Sequence, residues 1–103
     1  MKRVMVRYRV KAERLREHVD YITEVFGQLR REQPAGIRYA AFRLDDQVSF
    51  VHVASIETAD GTNPLNGLAA FRAFTERIKD RCDEPPVAVD LQEIGAYRVF
   101  AAP

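Results

Sequence analysis

The sequence predicts a single α+β domain whose elements follow the order βαββαβ, and three observations lead to this prediction. Two long segments repeat apolar residues at steps of three and four, as amphipathic helices do. Four shorter segments alternate or concentrate apolar residues, as strands do. Prolines or glycines lie at three of the five junctions between these segments. Two helical crossovers, each leaving room for one strand, then give a four-stranded antiparallel sheet in the order 4-1-3-2 with both helices on one face.

The first strand and the first helix have the clearest patterns. Residues 3–10 alternate strictly, which predicts a strand with two distinct faces. The face without arginines contains Val4, Val6, Tyr8 and Val10. A helix is predicted from about Glu13 to Glu32, and Pro34 and Gly36 end it because they cannot continue a helix.

The rest of the chain repeats this plan with shorter signals. Residues 37–44 and 48–56 are predicted strands joined by a short polar hairpin turn. An irregular loop of eleven residues follows, in which Asn63-Pro64 has the form of a helix cap. The second helix is predicted from about Leu68 to Asp83, ended by Pro85-Pro86. The last segment alternates as far as Leu91, and Gly95 predicts a bulge or bend before Tyr97 and Phe100.

Length and composition narrow the class of protein. The 103 residues predict one domain, 1–103. Sixteen Lys plus Arg stand against fifteen Asp plus Glu, so the charge balance gives no reason to expect a nucleic acid partner. No apolar run approaches the length of a membrane helix, so no membrane partner is expected. With a single cysteine, Cys82, and arginines interrupting the N-terminal apolar run, we expect a reduced, cytoplasmic protein.

The third predicted strand is apolar on both faces, which raises the question of what covers the second face. We expect Val51 and Val53 to face the helices. The outward set is then Val48, Phe50, His52, Ala54 and Ile56. The sheet presents roughly 400 Å² in projection, which rivals the largest apolar patches left open on monomers. The candidate covers are a second copy of the chain, a nucleic acid strand, or a small ligand between two copies.

The hypothesis that a nucleic acid covers this face is tested by comparing the sequence with the RNA recognition motif, which has the same order of elements. That motif carries a basic residue, a glycine and several aromatic residues on the third strand. Here Phe50 is present, but Asp46 and Gln47 stand near the basic and glycine positions. The first strand adds no aromatic residue beside Met5 on that face, and stacking needs more than one ring. The sequence therefore favours the other two covers.

Four segments of the chain resemble the dimeric α+β barrel superfamily, in particular the antibiotic-biosynthesis-monooxygenase-like proteins. They are V-R-Y-R-V-K-A-E-R, S-F-V-H-V, L-A-A-F-R-A-F and R-C-D-E-P-P. The resemblance implies a ferredoxin-like βαββαβ subunit whose sheet packs against that of a second subunit across a twofold axis. It also implies pockets for small aromatic substrates or haem between sheet and helices, and cofactor-free oxygenase activity in part of the family. We therefore expect a homodimer through the open sheet face.

His52 and Tyr39 are the candidate catalytic residues. A histidine near substrate serves as general base on a phenol or accepts a ligand hydrogen bond, and the competing reading of His52 is a hydrogen-bonded interface residue. Tyr39 is a phenol donor in the cleft or an ordinary core aromatic. His18 is read as a helix-edge residue rather than a ligand, since no partner lies at metal spacing. We expect no metal and no cofactor.

Arg7, Arg9 and Phe50 are the candidate substrate-binding residues. Two arginines on one strand face are suited to an anionic ligand, and ion pairs across a dimer with Asp90 or Glu93 are the alternative. The resemblance thus implies a small-molecule-binding protein, with cofactor-independent monooxygenation of an aromatic or quinol-like substrate as its expected reaction. The alternative is a non-catalytic homodimeric module, and the two differ by whether a cavity lies between sheet and helices.

Overall fold

The computed structural model of the chain describes residues 1–99 and contains the predicted elements in the predicted order. The strands are β1 (Lys2–Val10), β2 (Ile37–Arg43), β3 (Ser49–Ile56) and β4 (Cys82–Leu91). The helices are α1 (Leu15–Glu32) and α2 (Ala69–Thr75). All strand pairs are antiparallel, and the spatial order is β2-β3-β1-β4. The predicted ferredoxin-like topology is confirmed.

The core lies between the sheet and the two helices. Val25 of α1 and Phe74 of α2 pack with Tyr8 and Phe50 of the two central strands. The apolar stripe of α1 adds partly buried residues to this cluster, namely Leu15, Val19, Ile22 and Leu29. Burial of Tyr8 and Val10 confirms that the arginine-free face of β1 is the one that the helices cover.

The predicted face assignment of β3 is wrong, and the register of the sheet gives the reason. Tyr8 lies opposite Phe50, and Val6 lies opposite His52. Residues directly opposite on neighbouring strands point to the same side, so Phe50 and His52 face the helices. Both are buried, as is Ile56. A shift of one residue exchanges the two faces of a strand, and here both sets were apolar enough to fit.

The face of the sheet away from the helices is therefore made of different residues from those predicted. Two rows across the sheet define it, namely Phe42, Val51, Arg7 and Val87, and Ala40, Val53, Met5 and Val89. Of these, Val87 is 61% exposed and Val89 is 42% exposed. We call this surface, with Leu91 at its edge, the open face.

The second helix is shorter than predicted, because the backbone leaves the helical conformation after Thr75. Glu76 is extended and Arg77 is left-handed, with φ of 60°. A 3₁₀ turn over Ile78–Arg81 follows, and β4 starts at Cys82, where the sequence predicted the end of a helix. The turn places the side chain of Arg81 in the interior, where it is buried.

Two prolines lie inside β4 instead of ending a helix. β4 is an edge strand, where a missing N–H is tolerated, and its pairing with β1 shifts register between Arg7 and Arg9. After Leu91 the described chain contains no further strand. The predicted bend before Tyr97 falls in this irregular stretch, and Phe100 lies outside the described residues. None of the helices in residues 1–99 has the length and apolar character needed to cross a bilayer.

Gly36, in the turn between α1 and β2, allows the loop after β3 to pack closely against that turn. Gly36 has φ of +82°, and a Cβ there would lie 2.5 Å from Cγ2 of Thr58. Its carbonyl accepts a hydrogen bond from Glu57 N at 2.8 Å. Gly61 in the same loop also has positive φ, +79°, but a Cβ there would meet nothing within 4 Å.

We expect Gly61→Ala to lower the free energy of unfolding by about 1–2 kcal/mol, from backbone strain alone. Gly36→Ala adds the clash with Thr58, so we expect a further loss of about 1–3 kcal/mol in urea titrations. Introducing Thr58→Ser removes Cγ2 while keeping the hydroxyl that donates to Thr62 O. In that background the two alanine variants should become equal, and a difference that persists would contradict the clash.

Candidate functional site

A cavity of about 210 Å³ lies between the sheet and α2. β1 and β3 provide its floor with mostly apolar side chains, and α2 provides Phe71 and Phe74 on the other side. The loop after β3 closes one end with Asn63 and Leu65. The floor consists of Val4, Val6, Tyr8, His52, Ala54 and Ile56, and the other lining residues are Tyr39, Thr75, Ile78 and Pro86. The pocket is thus almost wholly apolar, with a few polar side chains at its edge.

Three of those polar side chains, Tyr8, His52 and Tyr39, belong to a hydrogen-bond relay that runs through the core. Tyr8 Oη lies 2.7 Å from His18 Nε2 and 2.7 Å from His52 Nε2. Tyr39 Oη lies 2.5 Å from His52 Nδ1, and Arg81 Nε donates to His18 Nδ1 at 3.2 Å. Arg81, His18, Tyr8, His52 and Tyr39 therefore form one continuous line, which we call the relay. Its Tyr39 end opens on the cavity.

The helix α1 and the strands β1, β2 and β3 each place one side chain in the relay for a local reason. His18 follows Leu15 and precedes Ile22 at helical steps, so it lies on the buried stripe of α1. Tyr8 and His52 come from the two central strands, and their side chains point to the same side of the sheet. Tyr39 comes from β2, where its ring stacks on Phe26 with centroids 5.2 Å apart. The relay therefore joins most of the fold around one polar line.

Burial keeps the two histidines and the two tyrosines of the relay neutral near pH 7. Loss of solvent lowers the pKa of His52 from 6.5 to about 4. The pKa of His18 is lowered to about 4 as well, by burial first and by the nearby Arg81 charge second. Burial raises the pKa of the Tyr8 and Tyr39 hydroxyls well above its usual range. Both histidines are thus single-proton imidazoles, and both tyrosines keep their protons.

The structure brings the two predicted catalytic residues together. His52 and Tyr39 both line the cavity and are hydrogen-bonded to each other. His52 points toward the helices and is buried within the chain, on the side of the sheet away from the open face. Both of its ring nitrogens have partners, whereas the Tyr39 hydroxyl has His52 Nδ1 as its one partner among residues 1–99.

The predicted substrate-binding residues do not share this location. Arg7 lies on the open face, opposite Val51, on the far side of the sheet from the cavity. Arg9 is exposed on the same side of β1 and pairs with Glu84 at 3.2 Å within the subunit. Phe50 is a core residue stacked on Tyr8, with centroids 5.5 Å apart. That these three residues bind a ligand stays a prediction, and none of them is needed for binding in this cavity.

Three relay residues were not predicted as site residues: Tyr8 was expected only on the covered face of β1, and His18 and Arg81 were missed. His18 was read as a helix-edge residue, yet it is completely buried. Its spacing from Leu15 and Ile22 was the signal that could have placed it inside. Arg81 gave no comparable signal, since its position depends on the left-handed Arg77 and the 3₁₀ turn. Cys82 is buried.

No group of three His, Cys, Asp or Glu side chains suited to a metal ion occurs among residues 1–99. His18 and His52 use their nitrogens within the relay. The chemistry that the site offers is therefore that of hydroxyl and imidazole groups beside an apolar cavity.

The buried histidines predict a loss of stability in mild acid. A histidine with a pKa of 6.5 in the unfolded chain and about 4 in the folded one binds more protons when unfolded. The free energy of unfolding should therefore fall as the pH drops from about 6.5 toward 4, by roughly 3 kcal/mol for each histidine if they acted independently. The two are coupled through Tyr8, so we expect less than the sum.

Urea titrations at several pH values between 6.5 and 5 check this, since carboxylates titrate below that range. His52→Phe removes one titrating group and should roughly halve the slope of stability against pH. A slope that is flat in the unmodified protein would contradict neutral burial of both histidines.

Comparison with known proteins gives structural relatives only. No family model matches the chain, and no curated protein matches its sequence. A solved structure from Nitrosomonas europaea, named as a candidate antibiotic biosynthesis monooxygenase, is 18% identical, with a TM-score of 0.72 over 90% of this chain and 89% of that one. Another structure named antibiotic biosynthesis monooxygenase is 14% identical, with a TM-score of 0.74 over 92% of this chain and 100% of that one.

Rv0793 from Mycobacterium tuberculosis is a third neighbour, 12% identical, with a TM-score of 0.73 over 92% of this chain and 96% of that one. Identities this low show a common fold and do not transfer an activity. The resemblance seen in the sequence is confirmed at that level: the chain has the ferredoxin-like α+β fold of the antibiotic-biosynthesis-monooxygenase-like structures.

Proposed function

We propose that the chain binds a small aromatic molecule in the cavity, with an oxygen of that molecule hydrogen-bonded to the Tyr39 hydroxyl. The observation that supports the proposal is that Tyr39 lines an apolar cavity and that its hydroxyl has a single hydrogen-bond partner among residues 1–99. Binding pockets commonly combine apolar walls with a few placed polar groups in this way.

The size of the cavity fits one or two aromatic rings. A buried apolar cavity of about 150 Å³ takes up benzene, and this one has about 210 Å³. Aromatic walls are available on the helix side, where Phe71 and Phe74 lie with centroids 6.0 Å apart. The sheet side is flat and built from Val4, Val6 and Ala54, so a planar ring fits between the two sides.

The reaction that we propose is cofactor-independent monooxygenation of a phenol or quinol-like molecule. The substrate supplies the electrons. The O–H bond of the phenol and the C–H bond para to it break, one atom of O₂ becomes the new carbonyl oxygen, and the other leaves as water with both hydrogens. The phenol loses four electrons and O₂ gains four, so no other reductant is needed. The names of the structural neighbours support this class of reaction.

Tyr39 would act on this reaction by donating a hydrogen bond to the phenolate oxygen. The phenolate is the electron-rich form that reacts with O₂, and a donor fixed in a water-poor cavity stabilises it strongly. His52 holds the Tyr39 hydroxyl at 2.5 Å, and its own position depends on Tyr8. In this proposal His52 positions Tyr39, and Tyr39 touches the substrate.

We also propose that the open face packs against a second copy of the chain. Besides Val87 and Val89, Leu91 is exposed there. The segment after β4 adds Ile94 at 93% and Tyr97 at 81% exposure. The sheet alone offers roughly 400 Å², about half of what each partner usually buries in a stable interface, so this segment would complete the contact area. A twofold arrangement covers the same patch on both copies at once.

We expect Tyr39→Phe to weaken binding of 1-naphthol about tenfold, the cost of one hydrogen bond in a dry site. Calorimetric titration measures it. Tyr97→Phe makes the same chemical change far from the cavity and should leave the affinity unchanged. Equal affinity in all three proteins would contradict binding at Tyr39.

Turnover is measured with an oxygen electrode and labelled O₂. We expect one O₂ consumed per 1,4-naphthoquinone formed, one labelled atom in the quinone, and a rate about 100-fold lower in Tyr39→Phe. Binding without oxygen consumption would instead support the non-catalytic homodimeric module.

The dimer is tested by light scattering. We expect twice the subunit mass of 11.8 kDa at micromolar concentration. Val89→Asp places a charge on the open face and should give the monomer, while Ala35→Asp, in the exposed turn before β2, should leave the dimer intact. A monomer for the unmodified chain would contradict the proposal.

A further inference from the structure

Arg81 is a buried cation without a carboxylate partner among the described residues. It is 2% exposed, and the ion pairs of residues 1–99 do not include it. Its guanidinium lies over the ring of Tyr21 at 4.4 Å and donates to the carbonyls of Phe74 and Glu76. The remaining contact is the Nε donation to His18. A buried charge is costly unless its hydrogen bonds are satisfied, so each of these contacts matters.

A guanidinium has five N–H donors and no acceptor, which fixes the direction of the relay. Because Arg81 Nε donates, Nδ1 of His18 must accept, and the single proton of neutral His18 lies on Nε2. That proton is donated to Tyr8 Oη, and the Tyr8 hydroxyl then donates to Nε2 of His52. The proton of His52 therefore lies on Nδ1 and is donated to Tyr39 Oη, at 2.5 Å.

The other directions leave a polar group without a partner. The full reverse would set an N–H of His18 against the N–H of Arg81, two donors facing each other. A mixed arrangement, with both histidines donating to Tyr8, satisfies Arg81 but leaves the Tyr8 proton without an acceptor inside a core where Tyr8 is 3% exposed. Buried polar groups are nearly always paired, so the directed relay is the favoured state.

We propose that Arg81 is a positioning residue that directs the relay so that Tyr39 presents its proton to the cavity, which makes the site selective for ligands with an acceptor oxygen. Among residues 1–99, Tyr39 Oη has the one hydrogen-bond partner His52, and that bond occupies the oxygen as acceptor. The proton is left for the ligand. This rests on the proposed function for the ligand itself. Phenolates, quinones and aryl ketones fit the site, and a ligand that can only donate, such as an anilinium ion, does not.

The direction of the relay is tested on the unmodified protein, without any ligand. Nitrogen NMR of histidine-labelled protein at pH 7 distinguishes the two neutral tautomers. We expect opposite ones: His18 protonated at Nε2 and His52 protonated at Nδ1. His52 protonated at Nε2 would overturn the proposal, whatever the protein binds. Failure to bind aromatic ligands would contradict the proposed function and leave this measurement decisive for Arg81.

The role of Arg81 is tested by paired substitutions and paired probes. Arg81→Met keeps an unbranched side chain without the donor, and Arg81→Lys keeps a donor. The probes are 4-nitrophenolate, with a charged acceptor oxygen, and nitrobenzene, which lacks that oxygen. We expect Arg81→Met to reduce the preference for 4-nitrophenolate about tenfold, with nitrobenzene affinity unchanged. Arg81→Lys should restore part of the preference.

A purely structural Arg81 would lower both affinities together, which would overturn the positioning role. Circular dichroism establishes whether each variant is folded. If Arg81→Met does not fold, the tautomer measurement and the Arg81→Lys variant test the role of Arg81. In Arg81→Lys, Nζ still donates to His18, so His52 should keep its proton on Nδ1. A change of the His52 tautomer in that variant would also contradict the proposed direction.

Discussion

A buried guanidinium that must be solvated by protein groups is the constraint on which the interior depends. Arg81 can donate but not accept, so every polar side chain joined to it is committed to one direction of hydrogen bonding. The relay takes residues from α1, from three strands and from the turn before β4. Since a half-satisfied buried network is worse than an apolar core, these elements must keep their mutual positions. The polar line therefore specifies the packing of the apolar residues around it.

The two faces of the sheet serve different purposes because of the register of β1 and β3. Pairing Tyr8 with Phe50 puts the rings of Tyr8 and His52 on the helix side and leaves Val51 and Val53 on the open face. A polar site within the subunit and an apolar surface outside it thus result from one alignment. A slip by one residue would expose the relay and bury two valines without gain.

Sequence patterns predicted the elements, their order and the covered face of β1, because each depends on local periodicity. The covered face of β3 could not be read in this way. Val51 and Val53 are as apolar as the residues on the other face of β3. The face that is covered contains His52, and a histidine considered alone argues against burial. What makes its burial favourable are two tyrosine hydroxyls from other strands, Tyr8 and Tyr39, which are distant in sequence.

The same limit applies to α2 and Arg81. The apolar spacing of Phe71, Phe74 and Ile78 continues as if the helix did, while the backbone turns at Arg77. Nothing in a single sequence marks a non-glycine residue for the left-handed region, because the strain is offset by contacts made elsewhere. The turn is also what brings Arg81 inside, so the residue that directs the relay was the hardest to predict.

Because its histidines are neutral and its tyrosines are protonated, the charge of the site stays constant over a wide range of pH. With both histidine pKa values near 4 and both tyrosine pKa values raised, no relay group changes its charge between about pH 5 and the alkaline range. The pH dependence of a reaction here would therefore report the ionisation of the substrate phenol rather than that of a protein base. A fixed donor that favours the phenolate lowers the pKa of the bound phenol. The chain would thus assist the reaction without taking up a proton itself, which agrees with a relay whose nitrogens and oxygens are all engaged except at the cavity.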